Sequence, residues 1–149
     1  METNIAFIES IIQSVLPLAT FMDVKILQAQ DETYSCLVPL DDNTKNHFNS
    51  VHAAIQWAGA ELLGGVVWIK NMPSDDYLLV LKEMNIKFSK PAMEDVTATT
   101  HFSEQQALEL NNALADNGRH DFDLHSEIKD KAGNVLANTH AQYAVRRKR

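Results

Sequence analysis

One cysteine, five glycines and four prolines are all that 149 residues hold of the types that staple, loosen or break a chain. A single thiol, Cys36, cannot close an internal disulfide, so the fold must rest on its core, and a reducing, cytoplasmic setting is expected. Cys36 lies in the alternating run TYSCLVPL, where it reads as a small buried hydrophobe in preference to a reactive thiol. So little glycine and proline leaves no disordered tract, and with no repeat or linker a single domain over residues 1–149 is expected.

Cations are scarce as well. Thirteen Lys and Arg against twenty Asp and Glu leave a formal charge of −7, which argues against the clustered positive surface that nucleic acid requires. The local exception is the terminal RRKR, residues 146–149, read as a solvated, frayed tail with a phosphate contact as the alternative. Long uncharged apolar runs are missing too. The longest candidate contains Glu61 and ends at Lys70, short of the ~18 residues that a membrane span needs, so no membrane partner is expected. The apolar start METNIAFIESIIQSVLPLATF carries Glu2 where a signal sequence has basic residues, and Glu9, Gln13, Ser14 and Pro17 interrupt it. It reads as a domain helix over about 3–16. Six histidines show no H-x3-H or Cys-His spacing, and no glycine-rich phosphate loop exists, so neither a metal nor a nucleotide cofactor is expected.

What is present is a clear change of period along the chain. Ile5, Ile8, Ile12, Val15 and Leu16 recur at helical spacing. FMDVKILQAQ and ETYSCLVPL then alternate about the turn Gln30-Asp31 and predict a hairpin. DDNTKN is a loop, after which the period returns to about 3.6 and predicts a central helix over about 50–69, stopped by NMPSDD. Strand follows strand afterwards: YLLVLKEMNIKF, EDVTATTHF, DFDLHSEIKD and NVLANTHAQYAV. Phe122, Leu124 and Ile128 alternate with Asp123, His125, Glu127 and Lys129, the one-sided pattern of an antiparallel sheet. SEQQALELNNALADNG fits either a short helix or a wide loop. The expected class is α+β, a long antiparallel sheet of five or six strands packed on a helix so poor in polar residues that a second subunit is needed to enclose it.

The central helix reads WAGAELLGGVVWI, and its one charge is Glu61. Offsets of three, four and seven residues place Glu61 on one side with Ala54, Trp57, Ala58, Gly64 and Gly65, while Gln56 lies well round from it. An unpaired buried carboxylate must find a partner, take a proton, or face a cleft. Either this edge faces solvent, or the small residues admit a substrate and desolvation raises Glu61 toward the range of a general base. Asn46, His47, Asn49, Ser50 and His52 crowd the start of the helix, where free amides and the dipole stabilise negative charge. Asn49 and Ser50 read first as N-caps.

The spacing Asn46-x5-His52-x8-Glu61 resembles the pattern N-x5-H-G-G-x6-D/E of the hotdog-fold thioesterases, which include the 4-hydroxybenzoyl-CoA and phenylacetate-pathway enzymes. MNIKFSKPA resembles that group's strand-and-turn segment, and IKDKAGNVLANTHAQYAVR its last hairpin. NHxNSxHAA…AE looks closest to a poorly characterised thioesterase-like bacterial branch. The resemblance implies a sheet wrapped round the central helix, a homodimer or dimer of dimers, and hydrolysis of an acyl-CoA or acyl-carrier thioester between subunits. It gives Glu61 the part of base or nucleophile, Asn46 that of positioning water or carbonyl, and the amide of Ala53 that of oxyanion donor. His47, Asn49, His52, Ala54 and Trp57 would line the substrate, His52 in a largely structural role. Ala53-Ala54 stands where the family has Gly-Gly, and Leu81 and Lys82 stand where many members carry a hydroxyl. A non-catalytic acyl-thioester binder shares these features. A hotdog 3-hydroxyacyl dehydratase is the further alternative, because His47-Phe48 precedes Glu61 by fourteen residues.

Overall fold

Ile8 and Ile12, one helical turn apart, are the buried positions of the first helix, α1 (Ile5–Val15), in a computed structural model that describes residues 4–149. Asn4 caps it by accepting the Phe7 amide at 2.8 Å. The expected start at residue 3 lies outside the described residues. The helix stops before Pro17 as its spacing predicted, but the chain does not go straight into a strand. Pro17 opens a second helix, α2 (Pro17–Met22), because a proline at the first helical position loses no hydrogen bond. Phe21 and Met22, read from the sequence as strand, therefore belong to α2, and Asp23 in the left-handed region (φ 54) ends it.

The hairpin is present as β1 (Lys25–Gln30) and β2 (Thr33–Val38), turning through Asp31 and Glu32. Both turn residues have positive φ, 53 and 60, as tight two-residue hairpins require. A loop leads to the central helix α3 (Ala53–Asn71), followed by β3 (Tyr77–Phe88) and β4 (Val96–His101). The ambiguous stretch after β4 is a helix, α4 (Glu104–Asn117). Ser103 and Gln106 satisfy each other's amides in a capping box, and Leu110 and Leu114 are buried. β5 (Arg119–Lys129) and β6 (Val135–Arg147) complete one sheet of order β1-β2-β4-β5-β6-β3, every neighbour antiparallel.

That sheet wraps α3. Leu62, Leu63, Val66 and Val67 meet Val38, Ala98, Leu124, Ile128 and Tyr143 in one core. Two glycines of α3 are set by close approach: a Cβ on Gly64 would fall inside the Tyr143 ring, and one on Gly59 would stand 2.7 Å from Val38 Cγ2. Cys36 is fully buried, its Sγ 3.4 Å from the Gly59 carbonyl, and burial pushes its thiol up to about 12, as befits a core residue. The tail correction is larger. β6 continues through Arg147, because β3 reaches back to pair Tyr77 with Arg147, and Arg146 donates to Asp121 at 2.7 Å. Only residues 148 and 149 lie beyond the strand.

β3 is an edge strand. It carries a bulge at Lys82, which moves its inward positions from Tyr77, Leu79 and Leu81 to Met84 and Ile86 and leaves Leu78 and Val80 exposed on the far face. Among the described residues no helix is long and apolar enough to cross a membrane, and no group of three or more His, Cys, Asp or Glu could hold a metal ion.

Candidate active site

The loop before α3 is held by its own polar side chains. Buried Thr44 donates its hydroxyl to the Pro39 carbonyl at 2.7 Å and accepts the Asp41 amide, while its carbonyl accepts the His52 amide at 2.8 Å. Asn46 does the same work a little further on. Its Oδ1 accepts the amides of Phe48 (2.9 Å) and Ser50 (3.1 Å), and its Nδ2 donates to Ser50 Oγ at 2.8 Å, leaving one N–H unused. Asn49, expected as a possible cap, sits in the left-handed region (φ 59) at the exposed corner of this turn. Ser50 is buried within it. Neither begins the helix.

His52 does. Its backbone is extended (ψ 141), and its Nδ1 accepts the Ala54 amide at 2.9 Å, so that nitrogen carries no proton in this arrangement. The carbonyl of His52 accepts the amides of Ile55 and Gln56. The Ala53 amide is left over: it has no acceptor among the described residues, and it points from the positive end of a nineteen-residue helix.

Two open grooves adjoin at Ala53. One, of about 320 Å³, is walled by Ala53, Ala54, Trp57, Ile86 and Phe88 and is almost wholly carbon-lined. The other, of about 370 Å³, shares Ala53 and Phe88 and runs past Asn46, Ser50, Gln56 and Lys90. Gln56 is buried. Its Nε2 donates to the Val51 carbonyl at 3.0 Å, which fixes the orientation of the amide and leaves Oε1 without a partner among the described residues.

Glu61 lies one turn past Trp57 on the same side of α3, half-buried. No group among the described residues hydrogen-bonds its carboxylate, and burial alone pushes it above the ordinary carboxylate value. Tyr143 sits directly beneath, donating its hydroxyl to the Glu61 carbonyl at 2.8 Å. Burial, and then the charge of Glu61, pushes that hydroxyl well up, so it stays a donor. Eight residues of helix separate Glu61 from Ala53, about 12 Å along the axis.

Of the residues singled out by sequence, the fold therefore gathers Asn46, Ala53, Ala54 and Trp57 along the two grooves and sets Glu61 beyond them. His52 is a cap. His47 is exposed with its ring 4.0 Å from Phe48, and with Asn49 it lines neither groove. Sequence reasoning missed Ile86, Phe88, Lys90, Gln56 and Tyr143. The first three are brought to α3 only by β3 and the turn after it, which no local pattern shows. Gln56 does carry a signal, a polar side chain in an apolar helix, but the charge of Glu61 outweighs it.

The profile of a domain of unknown function, DUF4442, matches residues 6–145. The chain belongs to the DUF4442 family. No curated protein matches this DUF4442 chain by sequence. Among solved structures it is similar to a Pseudomonas aeruginosa protein of unknown function described as "Probable Thioesterase", at 20% identity and TM-score 0.88, with 99% of each chain covered. It is similar to a Haemophilus influenzae thioesterase at 12% identity and TM-score 0.78, covering 99% of this chain and 93% of that one. A Staphylococcus aureus thioesterase matches at 17% identity and TM-score 0.71 over 87% and 98% of the two chains. It was solved as separate alanine mutants of a glutamine and of a glutamate fifteen positions later. At these identities the likeness is one of fold, and the fold is the hotdog of the thioesterases.

Proposed function

We propose that this DUF4442 protein hydrolyses small-molecule acyl thioesters of coenzyme A or an acyl carrier protein, at a site shared by two copies of the chain. The observation that carries the reading is the pair of unspent groups on α3: a carboxylate that burial raises and an amide, neither with a hydrogen-bond partner among the described residues. The amide of Ala53 hydrogen-bonds the thioester oxygen and stabilises it as negative charge develops. Glu61 takes the proton from an attacking water, the tetrahedral intermediate collapses, and the carrier leaves as thiolate. Both groups must lie within about 3 Å of their targets on one carbonyl and its attacking water. Their backbones stand about 12 Å apart along one rigid helix, so this reading takes the base from a partner copy. The free edge of β3 and the exposed side of α3 are the surfaces that pairing would cover.

Two comparisons support the reading. Thioesterases share the fold, and the glutamine and glutamate altered in the staphylococcal protein have the same separation as Asn46 and Glu61. A binder without turnover is the second reading, favoured by one observation: Lys82 occupies a bulge and pairs with Asp121 at 3.1 Å, so no hydroxyl there holds the water. His47, required by a dehydratase, lies outside both grooves.

The test is release of free thiol from a panel of acyl-CoA and acyl-carrier substrates. Glu61→Gln is expected to lower the rate by about 10² to 10⁴ while the fold and oligomer persist. Full activity in that variant would remove Glu61 from the chemistry. Tight binding with no turnover in the unaltered protein would make it a binder.

A further inference from the structure

We infer that the site selects acyl groups made only of hydrocarbon, aliphatic or unsubstituted aryl, and excludes those bearing hydroxyl or carboxylate. The inference rests on the reading of this site as a thioester site and names its substrate class. Its basis is the difference between the two grooves that share Ala53 and Phe88. With the carbonyl oxygen on the Ala53 amide, the two substituents of the carbonyl carbon have these two adjoining grooves to enter.

The carrier arm is the more demanding of the two. A phosphopantetheine, common to coenzyme A and acyl carrier protein, bears two amides and ends in a phosphate, and each amide must replace the hydrogen bonds it gives up to water. One groove has polar side chains for this, with Asn46, Ser50 and Lys90 in its lining. The other has none. Ala53, Ala54, Trp57, Ile86 and Phe88 present carbon, and the acyl group is left to that groove.

A hydroxyl or carboxylate laid against that wall gives up part of its hydration and finds no side-chain donor or acceptor among the lining residues. The Ala53-Ala54 pair acquires a role here. Both residues line the carbon-lined groove, and each has a methyl group as its whole side chain, so they add apolar wall to the acyl side. The groove is thus narrowed and made more apolar by the same two residues that stand in place of Gly-Gly.

The experiment uses the full chain and matched pairs: hexanoyl-CoA with 6-hydroxyhexanoyl-CoA, and benzoyl-CoA with 4-hydroxybenzoyl-CoA. The kcat/KM values are read by thiol release. Dissociation constants of the corresponding S-hexyl and S-(6-hydroxyhexyl) thioethers of CoA, which cannot be hydrolysed, are read by calorimetry. The unsubstituted member is expected to be favoured about 10- to 100-fold in both measures, the range for a hydroxyl buried without a partner. Ala54→Ser, at an exposed residue of the first helical turn, and Ile86→Thr each place a hydroxyl on the wall and are expected to shrink that ratio severalfold. A ratio near one, or reversed, in the binding measurement overturns the inference whatever the rates. Selective binding without hydrolysis keeps it and overturns the catalytic reading, whereas binding of neither thioether overturns both.

Discussion

Glu61 is caught between folding and chemistry. Its carboxylate is half-buried, with no partner among the described residues, and burial raises its folded value above the ordinary one of 4.5. A raised acid favours the fold fully below its unfolded value, and that contribution is lost as pH rises through the folded value. At neutral pH the ionised group is therefore a burden on stability. Glu61→Gln should raise the melting temperature at pH 7.5 while abolishing thiol release, and the gain should vanish as the buffer is taken down to about pH 4.5. In the unaltered protein the sign is the complementary one: a base must be ionised, so kcat/KM should climb with pH along an acid limb centred above 4.5. A rate flat from pH 4.5 to 7 would contradict it. Beneath the same turn, Tyr143→Phe keeps the ring against Gly64 and removes only the hydroxyl bond to the Glu61 carbonyl, a loss of about 1 kcal/mol in urea unfolding. Gly64→Ala forces a methyl into that ring, and the over-packing should cost about 1–3 kcal/mol, more than the lost hydroxyl.

At the level of elements, the start of α3 decides where the oxyanion donor points. His52 holds the Ala54 amide, and Ala53 is directed outward by that arrangement. His52→Ala should lower stability by about 1 kcal/mol and reduce kcat, and His52→Asn, a better cap, should recover both. A kcat that stayed low in His52→Asn would show that the imidazole acts on substrate. Sequence is a fair guide to elements whose period is strong. The alternation of Phe122, Leu124 and Ile128 marks β5, and the hairpin, an antiparallel sheet of five or six strands and the apolar central helix follow from similar patterns. It fails where two local signals compete. Asn49 and Ser50 are better N-caps than histidine, yet the Asn46 side chain binds the Phe48 and Ser50 amides, its backbone carbonyl accepts the Asn49 amide, and the turn so formed delays the helix to Ala53. RRKR reads as solvated when charge is weighed without the partner strand, which pairs residues 146 and 147. The site is legible as far as one helix and its approach loop carry it. Its other wall, Ile86, Phe88 and Lys90, depends on where β3 closes against α3, a long-range contact with no trace in a short window.

For the whole molecule the question is whether base and amide come from different chains, and one substitution makes it answerable. Ala53 is the first residue of α3, the position where proline is best tolerated, and His52 before it already has the extended backbone (φ −58, ψ 141) that a following proline demands. Ala53→Pro therefore deletes the oxyanion N–H without breaking the helix, and should lower kcat by about 10² to 10³. Glu61→Gln deletes the base. If the sites are shared, a hybrid dimer of these two variants contains one site assembled from both defects and one assembled from neither. The chain carrying Ala53→Pro still supplies a glutamate, and the chain carrying Glu61→Gln still supplies an amide. Purified through two different tags, such hybrids should recover roughly half the activity of the unaltered dimer, one working site of two. Each parent homodimer should stay near background under the same conditions. Hybrids no more active than the parents would return base and amide to a single chain. The helix would then have to bend sharply between residues 53 and 61 to bring them together, which the buried packing of Ala58 and Ala60 in that stretch opposes.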